Sequence, residues 1–190
     1  KIITLTTAGY DEVKIDVGEE IHKFEKQNNI KFAEIQVEAI KGAFENGIEI
    51  ITGGPGTGKT TIIKCITEIF EAASMTVFMA EPTGRAAKRM SEATGRDSKT
   101  IHRLLELGFN DDDDMDFLKG EESPLQCDVL IVDEASMIDI LLMNSLLKAI
   151  PMGTRLIIVG DADQLPSVGP GNVLRDLIES KCVKVVRLKD

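Results

Sequence analysis

Short apolar runs alternate with amphipathic stretches along most of the chain. The runs that predict strands lie at 48–52, 75–80, 129–132, 155–159 and 182–188. The run at 129–132 is apolar without alternation, which is typical of a parallel strand buried on both faces. Strands that alternate with helical stretches indicate a parallel sheet covered by helices on both faces. The pattern therefore predicts an α/β fold with a five-stranded parallel sheet.

The first 30 residues follow a different pattern. Residues 1–6 predict a strand, and residues 18–28 predict a short polar helix. We interpret 1–30 as a linker from an upstream region and 31–190 as the folded domain. Because the chain opens on a lysine rather than on methionine, we expect it to be a piece of a longer protein.

A glycine-rich segment joins the first predicted strand of the sheet to the following helix. Residues 53–60 read GGPGTGKT and match the phosphate-loop pattern G-x-x-x-x-G-K-[ST]. Glycines let successive backbone N–H groups surround a phosphate, and the positive end of the helix favours its charge. In this pattern Lys59 reaches the β- and γ-phosphates and Thr60 offers its hydroxyl to Mg²⁺. The alternative is a glycine-rich turn with a chance lysine.

Polar side chains also follow two later strands. Asp133 and Glu134 come directly after the buried strand at 129–132, where packing does not explain them. Beside a phosphate loop, Asp133 can hold Mg²⁺ with Thr60, and Glu134 can activate the attacking water. Gln164 follows the next strand and can sense the γ-phosphate. Because the carboxyl ends of parallel strands meet at one edge, we expect a single site there.

Local charge turns basic after the strand at 75–80, although the net charge of the chain is −10. The cations are Arg85, Lys88, Arg89, Arg96, Lys99 and Arg103. Thr83 and Gly84 stand at a predicted helix start, where free N–H groups suit an anion. Thr100 and His102 open the next helix. Two interpretations remain open from charge alone: a strip that holds a sugar-phosphate backbone, or a solvated basic helix face.

The segment 108–125 is acidic. Its acids are Asp111, Asp112, Asp113, Asp114, Asp116, Glu121 and Glu122. Phe109 and Phe117 flank the aspartates, which predicts a hairpin-like insertion with an acidic tip. The alternative is that these acids bind a metal ion, but their spacing lacks the D-x-[DN]-x-[DN]-G pattern of a calcium-binding loop.

Composition narrows the class of protein further. With 43% apolar and 28% charged residues, the chain is an ordinary globular sequence. No apolar stretch approaches the roughly 20 residues of a spanning helix, so we expect no membrane partner. Cys65, Cys127 and Cys182 lie far apart in apolar runs, which predicts buried thiols rather than disulfides or zinc ligands. We expect a cytoplasmic location, because free buried thiols are typical of the reducing cytosol.

Five motifs together resemble the first motor domain of a superfamily-one DNA helicase, and most closely the RecD-like group that includes the exodeoxyribonuclease V alpha subunit. They read ITGGPGTGKTT, EPTGRAAKRM, TIHRLL, VLIVDEASMID and GDADQLPSVGPG, in the expected order. The resemblance implies a RecA-like P-loop NTPase fold, in which the strand before Gln164 lies between those of the phosphate loop and Asp133. It also implies ATP-driven 5′-to-3′ movement on single-stranded DNA in recombination and repair.

The resemblance also assigns roles to individual residues. Lys59, Glu134 and Gln164 match catalytic positions, and Thr60 and Asp133 match the metal-holding ones. The implied cofactors are ATP and Mg²⁺. The implied ATP-binding residues are Gln36, Gly54, Pro55, Gly56, Thr57, Gly58, Lys59, Thr60 and Thr61. The implied DNA-binding residues are Thr83, Arg85, Thr100 and His102. From the residues alone, Gln36 is either an adenine-reading amide or an exposed polar position on its helix.

Three positions depart from the pattern of this group. Glu81 stands where a small residue usually precedes Pro-Thr-Gly, and its charge can weaken a nearby phosphate contact. Ala33 replaces a helix-capping serine or threonine. The segment 108–125 occupies the place of the hairpin pin, but its aspartates would repel DNA.

The second motor domain and its arginine finger are absent from this sequence. We therefore expect the chain alone to bind ATP and Mg²⁺, to hydrolyse ATP poorly and to leave duplexes intact, because such fingers are worth roughly 10³–10⁵ in rate. The implied partners are single-stranded DNA, the second motor domain and subunits of a nuclease complex. The alternatives are a P-loop ATPase that remodels a non-DNA partner and a nucleotide-binding scaffold without turnover.

Overall fold

The computed structural model describes residues 1–109, 115–165 and 169–189. Its strands are β1 Ile48–Thr52, β2 Val77–Glu81, β3 Lys99–Thr100, β4 Leu107–Phe109, β5 Met115–Phe117, β6 Val129–Val132, β7 Arg155–Gly160 and β8 Lys184–Arg187. Its α-helices are α1 Ile2–Thr7, α2 Val17–Asn28, α3 Glu34–Glu45, α4 Lys59–Ala72, α5 Gly84–Thr94, α6 Ile101–Leu104, α7 Ile140–Ala149 and α8 Val173–Ser180. A 3₁₀ turn spans Ala135–Met137.

Six strands form one parallel sheet in the order β3-β2-β6-β7-β1-β8. The predicted parallel sheet is confirmed, with one strand more than expected. The additional strand β3 pairs with β2 over only two residues, which is too short to leave an apolar run in the sequence. The predicted position of β7 between β1 and β6 is also confirmed.

Helices cover both faces of this sheet. One face packs against α1, α6, α7 and α8, and the other packs against α2, α3, α4 and α5. The sequence of β6 is continuously apolar because its alternate residues pack into the cores on opposite faces of the sheet. Leu130 and Val132 face one core, whereas Val129 and Ile131 face the other. In the second core the rings of Phe44 and Phe70 stack with centroids 4.1 Å apart.

The strand prediction for residues 1–6 is wrong, because this stretch forms the helix α1. Its β-branched residues favoured a strand, but Leu5 is fully buried in the core and Ile2 packs against the same cluster. The predicted helix at 18–28 is confirmed as α2. Between these helices, the guanidinium of Arg155 donates to the Asp11 carbonyl at 2.8 Å and lies over the ring of Tyr10. Residues 10 and 11 therefore pack against the start of β7.

The prediction of buried thiols is confirmed for Cys65 and Cys127. It is wrong for Cys182, which is exposed. Cys182 lies in the short connection between the end of α8 and the start of β8, outside both elements. None of the helices in the described part of the chain is long and apolar enough to cross a membrane.

Strands β4 and β5 form a separate antiparallel pair, in which Leu107 lies opposite Phe117. The residues predicted to form its acidic tip, 111–114, lie outside the described residues. Asp116, Glu121 and Glu122 are exposed. The interpretation of 108–125 as an insertion and of 1–30 as a linker stays a prediction.

Candidate functional site

The glycine-rich loop bridges the end of β1 and the start of α4. Gly58 precedes the helix with φ 86°, a left-handed conformation that glycine adopts without steric cost. Thr57 is buried inside the loop, and its hydroxyl donates to the Gly54 carbonyl at 2.7 Å. The loop is therefore held in a compact shape by its own residues. Pro55 and Gly56 are exposed at its tip, and Thr61 is half-buried in the first turn of α4.

Lys59 spans this loop from the first position of α4. Its ammonium group donates to the carbonyl of Gly53 and to that of Gly54, the latter at 3.0 Å. A lysine held over the loop by backbone carbonyls lies close to where the loop would enclose a phosphate. It can exchange one carbonyl for a phosphate oxygen without leaving the loop.

Gln36 lies against the same loop from the first turn of α3. Its side-chain nitrogen donates to the Thr57 carbonyl at 3.0 Å, and its oxygen accepts from the Ala33 N–H at 2.8 Å. Ala33 has no side-chain oxygen with which to cap α3, so Gln36 satisfies that end of the helix. A Cβ on Gly58 would lie 2.6 Å from the Gln36 nitrogen. Gln36 thus couples the start of α3 to the loop, and its amide retains one donor and one acceptor for a ligand.

The two carboxylates follow β6 at the same edge. The Asp133 N–H donates to the Ala80 carbonyl at 3.0 Å, and Glu134 adopts a left-handed conformation with φ 54°. Burial raises the pKa of Asp133 to about 6, and the adjacent Glu134 charge also raises it. The charges of Lys59 and Arg89 oppose this shift. A half-buried acid pair with nearby cations is suited to bind a divalent ion and to handle a proton.

Gln164 approaches from the loop after β7. The Ser136 hydroxyl donates to its side-chain oxygen at 3.3 Å, which connects it to the turn that follows Glu134. The same loop is tied to β1, because the Ala162 N–H donates to the Thr52 hydroxyl at 3.1 Å. The structure therefore brings the phosphate loop, the acid pair and Gln164 to one edge of the sheet.

The predicted DNA-binding residues lie at the β2–β3 end of this edge. The Thr83 hydroxyl accepts from the Ala86 N–H at 3.2 Å and caps α5, and the Thr100 hydroxyl caps α6 in the same way at 3.1 Å from the Arg103 N–H. Arg85 and His102 are exposed. Each threonine hydroxyl accepts one bond within the chain and keeps its own O–H as a donor. The two hydroxyls, the neighbouring backbone N–H groups and the exposed side chains can therefore all meet a phosphate.

Two residues at this edge have contacts that the sequence did not indicate. Arg89 lines a cavity of about 180 Å³ together with Thr60, Asp133 and Glu134. The sequence placed it among basic residues of one helix without indicating which face it occupies. Glu81 is buried, and the Ser98 hydroxyl donates to its carboxylate. The sequence predicted an effect of Glu81 on phosphate contacts but gave no sign of this partner.

The donor set suits Mg²⁺ bound together with a nucleotide. In the described ranges, no three histidine, cysteine or acidic side chains converge as a protein-only metal centre. Mg²⁺ commonly takes one or two carboxylates and completes its shell with water and phosphate oxygens. The Thr60 hydroxyl and the Asp133 carboxylate line the same cavity and supply such a partial set.

A phosphate loop after the first strand of a parallel sheet, with an acid pair and a glutamine at the same edge, defines a P-loop nucleoside triphosphatase domain of RecA-like architecture. Comparison with known sequences agrees. The family model described as "AAA domain" matches residues 36–170. The ATP-dependent RecD2 DNA helicase of Deinococcus radiodurans is 44% identical over 131 residues, which cover 69% of this chain and 18% of the relative. The RecBCD enzyme subunit RecD of Mycolicibacterium smegmatis is 39% identical over 169 residues, covering 77% of this chain and 30% of the relative.

Solved structures show the same fold. Bacteroides Pif1 in complex with ADP-AlF4 superposes with a TM-score of 0.56 at 21% identity, covering 85% of this chain and 42% of that one. Bacteroides Pif1 bound to single-stranded DNA gives 0.57 at 22% identity, with coverage of 85% and 42%. The chain belongs to the family described as an AAA domain, and the curated relatives named above are RecD-type proteins at 39–44% identity. It spans less than a third of the length of the two curated relatives.

Proposed function

We propose that the chain is the ATP-binding motor domain of a longer ATP-dependent DNA helicase that moves 5′ to 3′ on single-stranded DNA in recombination and repair. The observation that carries this proposal is the meeting of Lys59, the acid pair and Gln164 at one edge of the sheet. We expect the protein to act in the cytoplasm.

The loop residues would bind the triphosphate of ATP, from Gly54 through Thr61. Lys59 would exchange a loop carbonyl for a β- or γ-phosphate oxygen. Gln36, already placed against the loop, would offer its remaining donor and acceptor to the adenine edge. The loop would thereby position the γ-phosphate toward the ends of β6 and β7.

The acid pair divides the work at the γ-phosphate. Thr60 and Asp133 would hold Mg²⁺, which when bound neutralises charge on the β- and γ-phosphates. Glu134 would orient the attacking water and accept its proton. Gln164 would hydrogen-bond the γ-phosphate and lose that bond on hydrolysis, and its link to Ser136 passes the change to the turn after Glu134.

The exposed groups that begin α5 and α6 would hold the DNA backbone. We propose Thr83, Arg85, Thr100 and His102 as the contacts, with no base specificity, because phosphate contacts position a strand without reading it. A chain of net charge −10 requires such a local strip, since its overall charge repels nucleic acid. We further propose that a second motor domain of the parent protein completes the ATP site, and that subunits of a nuclease complex are partners.

Displacement of a labelled strand from a tailed duplex by the full-length parent tests this function. We expect ATP-dependent displacement with a 5′ single-stranded tail and little with a 3′ tail. Lys59→Ala should abolish both ATP binding and displacement, whereas Lys148→Ala, at an exposed position on α7, should preserve both. Displacement by the Lys59→Ala parent, or equal use of both tails, would contradict the proposal.

A further inference from the structure

The two DNA-facing segments meet through a very short strand pairing. β3 contacts β2 only at Ala80 opposite Lys99 and at Glu81 opposite Thr100. Thr83 caps α5 two residues after this pairing, and Thr100 itself caps α6. Because two paired residues give little rigidity, the relative placement of the two helix starts requires further contacts.

The side chains of Glu81 and Ser98 supply such a contact. Glu81 is 1% exposed and Ser98 is 9% exposed, and the Ser98 hydroxyl donates to the Glu81 carboxylate. The Ser98 N–H also donates to the Ser91 hydroxyl on α5 at 3.0 Å. Ser98 therefore connects the end of β2, the body of α5 and the segment that leads into α6.

The environment of Glu81 indicates that it supports the proposed DNA-binding strip, which is formed by Thr83, Arg85, Thr100 and His102, from beneath and does not contact the DNA itself. An exposed acid beside a phosphate-binding strip would repel the ligand, but this carboxylate is buried and directed to Ser98. Burial raises the pKa of Glu81 to about 7, opposed by the Ser98 hydrogen bond, and Asp133 and Glu134 raise it further. Glu81 ends β2, which pairs with β6 on one side and with β3 on the other, so it lies between the strand of the acid pair and the strand that leads into α6.

We propose that Glu81 is a positioning residue, which through Ser98 fixes the spacing between the start of α5 and the start of α6 and so sets the affinity for single-stranded DNA. The inference rests on the proposed function, because it concerns the same strip. It goes beyond the family resemblance, which implies a small residue at this position.

Binding of a fluorescent single-stranded oligonucleotide to the full-length parent tests the inference. Simple electrostatics predicts that loss of an acid strengthens binding. The positioning role predicts the opposite for Glu81→Ala, a weakening of about tenfold, because the hydrogen bond is lost and Ser98 is left buried without its acceptor. Glu81→Gln keeps an acceptor for Ser98 without the charge and should bind at least as tightly as the wild type.

Two further sets of variants sharpen the measurement. Ser98→Ala should weaken binding to a similar extent, and the double variant should be no weaker than the weaker single variant, because both changes break one contact. Glu92→Ala removes an exposed acid from α5 and should not weaken binding. Unchanged affinity for a fluorescent ATP analogue shows that the Glu81 and Ser98 variants remain folded.

Each outcome decides the inference. Equal or tighter DNA binding by Glu81→Ala, additive effects of Glu81→Ala and Ser98→Ala, or failure of Glu81→Gln to restore affinity would overturn it alone. A wild-type parent that binds no single-stranded DNA would overturn the inference and the proposed function together. The inference is supported if both alanine variants bind single-stranded DNA more weakly while their affinity for the ATP analogue is unchanged. Glu81→Gln should then restore the affinity for DNA.

Discussion

At the scale of single residues, the least expected group is a carboxylic acid inside the core. Glu49 is the second residue of β1 and is fully buried, and neither carboxylate oxygen has a hydrogen-bond partner in the described part of the chain. It lies so close to α3 that a Cβ on Gly42 would be 1.8 Å from one of its oxygens. Burial raises the pKa of Glu49 to about 9, with Lys184 opposing the shift.

The protonation of Glu49 predicts a pH dependence of stability. Because its folded-state pKa lies above the ordinary 4.5, the stabilisation is complete below pH 4.5 and is lost as the pH rises through about 9. The free energy of unfolding should fall by up to about 1.4 kcal/mol per pH unit in this window. Glu49→Gln cannot titrate and should show a flatter profile in urea denaturation at pH 6, 7.5 and 9.

The control for this prediction is Glu92→Gln, which alters an exposed glutamate on α5 that is not among the groups shifting the pKa of Glu49. It should keep the slope of the wild type. Parallel pH profiles for the wild type and Glu49→Gln would show that Glu49 does not titrate in this range.

At the scale of elements, the phosphate loop depends on backbone conformations that only glycine adopts without strain. Gly58 has φ 86°, and the space of its missing Cβ is filled by the Gln36 amide at 2.6 Å. A side chain at this position would both strain the loop and displace the contact between α3 and the loop.

Gly58→Ala should therefore weaken the binding of a fluorescent ATP analogue by about tenfold or more, since a left-handed alanine costs about 1–2 kcal/mol before any clash. Gly84→Ala is the matched control, because a Cβ on this first residue of α5 meets no atom within 4 Å. We expect its nucleotide affinity to match that of the wild type. Equal binding by both alanine variants would contradict the importance of the loop conformation.

The sequence predicted those elements whose signal is local. The phosphate loop, the helix starts at Thr83 and Thr100 and the apolar strand β6 each carry their own chemistry or periodicity. Prediction from the sequence failed for features that depend on tertiary contacts. A β-branched run became α1 because Leu5 is buried, and β3 was missed because it has two residues. The same holds for the Glu81 contact with Ser98 and for the cavity lining of Arg89, which depend on distant parts of the chain.

At the scale of the whole molecule, the topology determines the site. Strand β7 lies between β1 and β6, so the loop that carries Gln164 emerges between the phosphate loop and the acid pair. The strip that we propose for DNA lies at the β2–β3 end of the same edge. Under the proposal one sheet edge would hold both ligands, so that a change at the nucleotide could reach the DNA through adjacent strands.

Steady-state ATP hydrolysis by the full-length parent, titrated with single-stranded DNA, tests the central claim most directly. We predict strong stimulation of the wild type and a loss of at least about 100-fold in Glu134→Gln with ATP binding retained. Asp163→Asn, at an exposed acid of the Gln164 loop, should behave as the wild type, and the 190-residue chain alone should hydrolyse ATP poorly. Hydrolysis that ignores DNA, or that survives Glu134→Gln unchanged, would contradict the account.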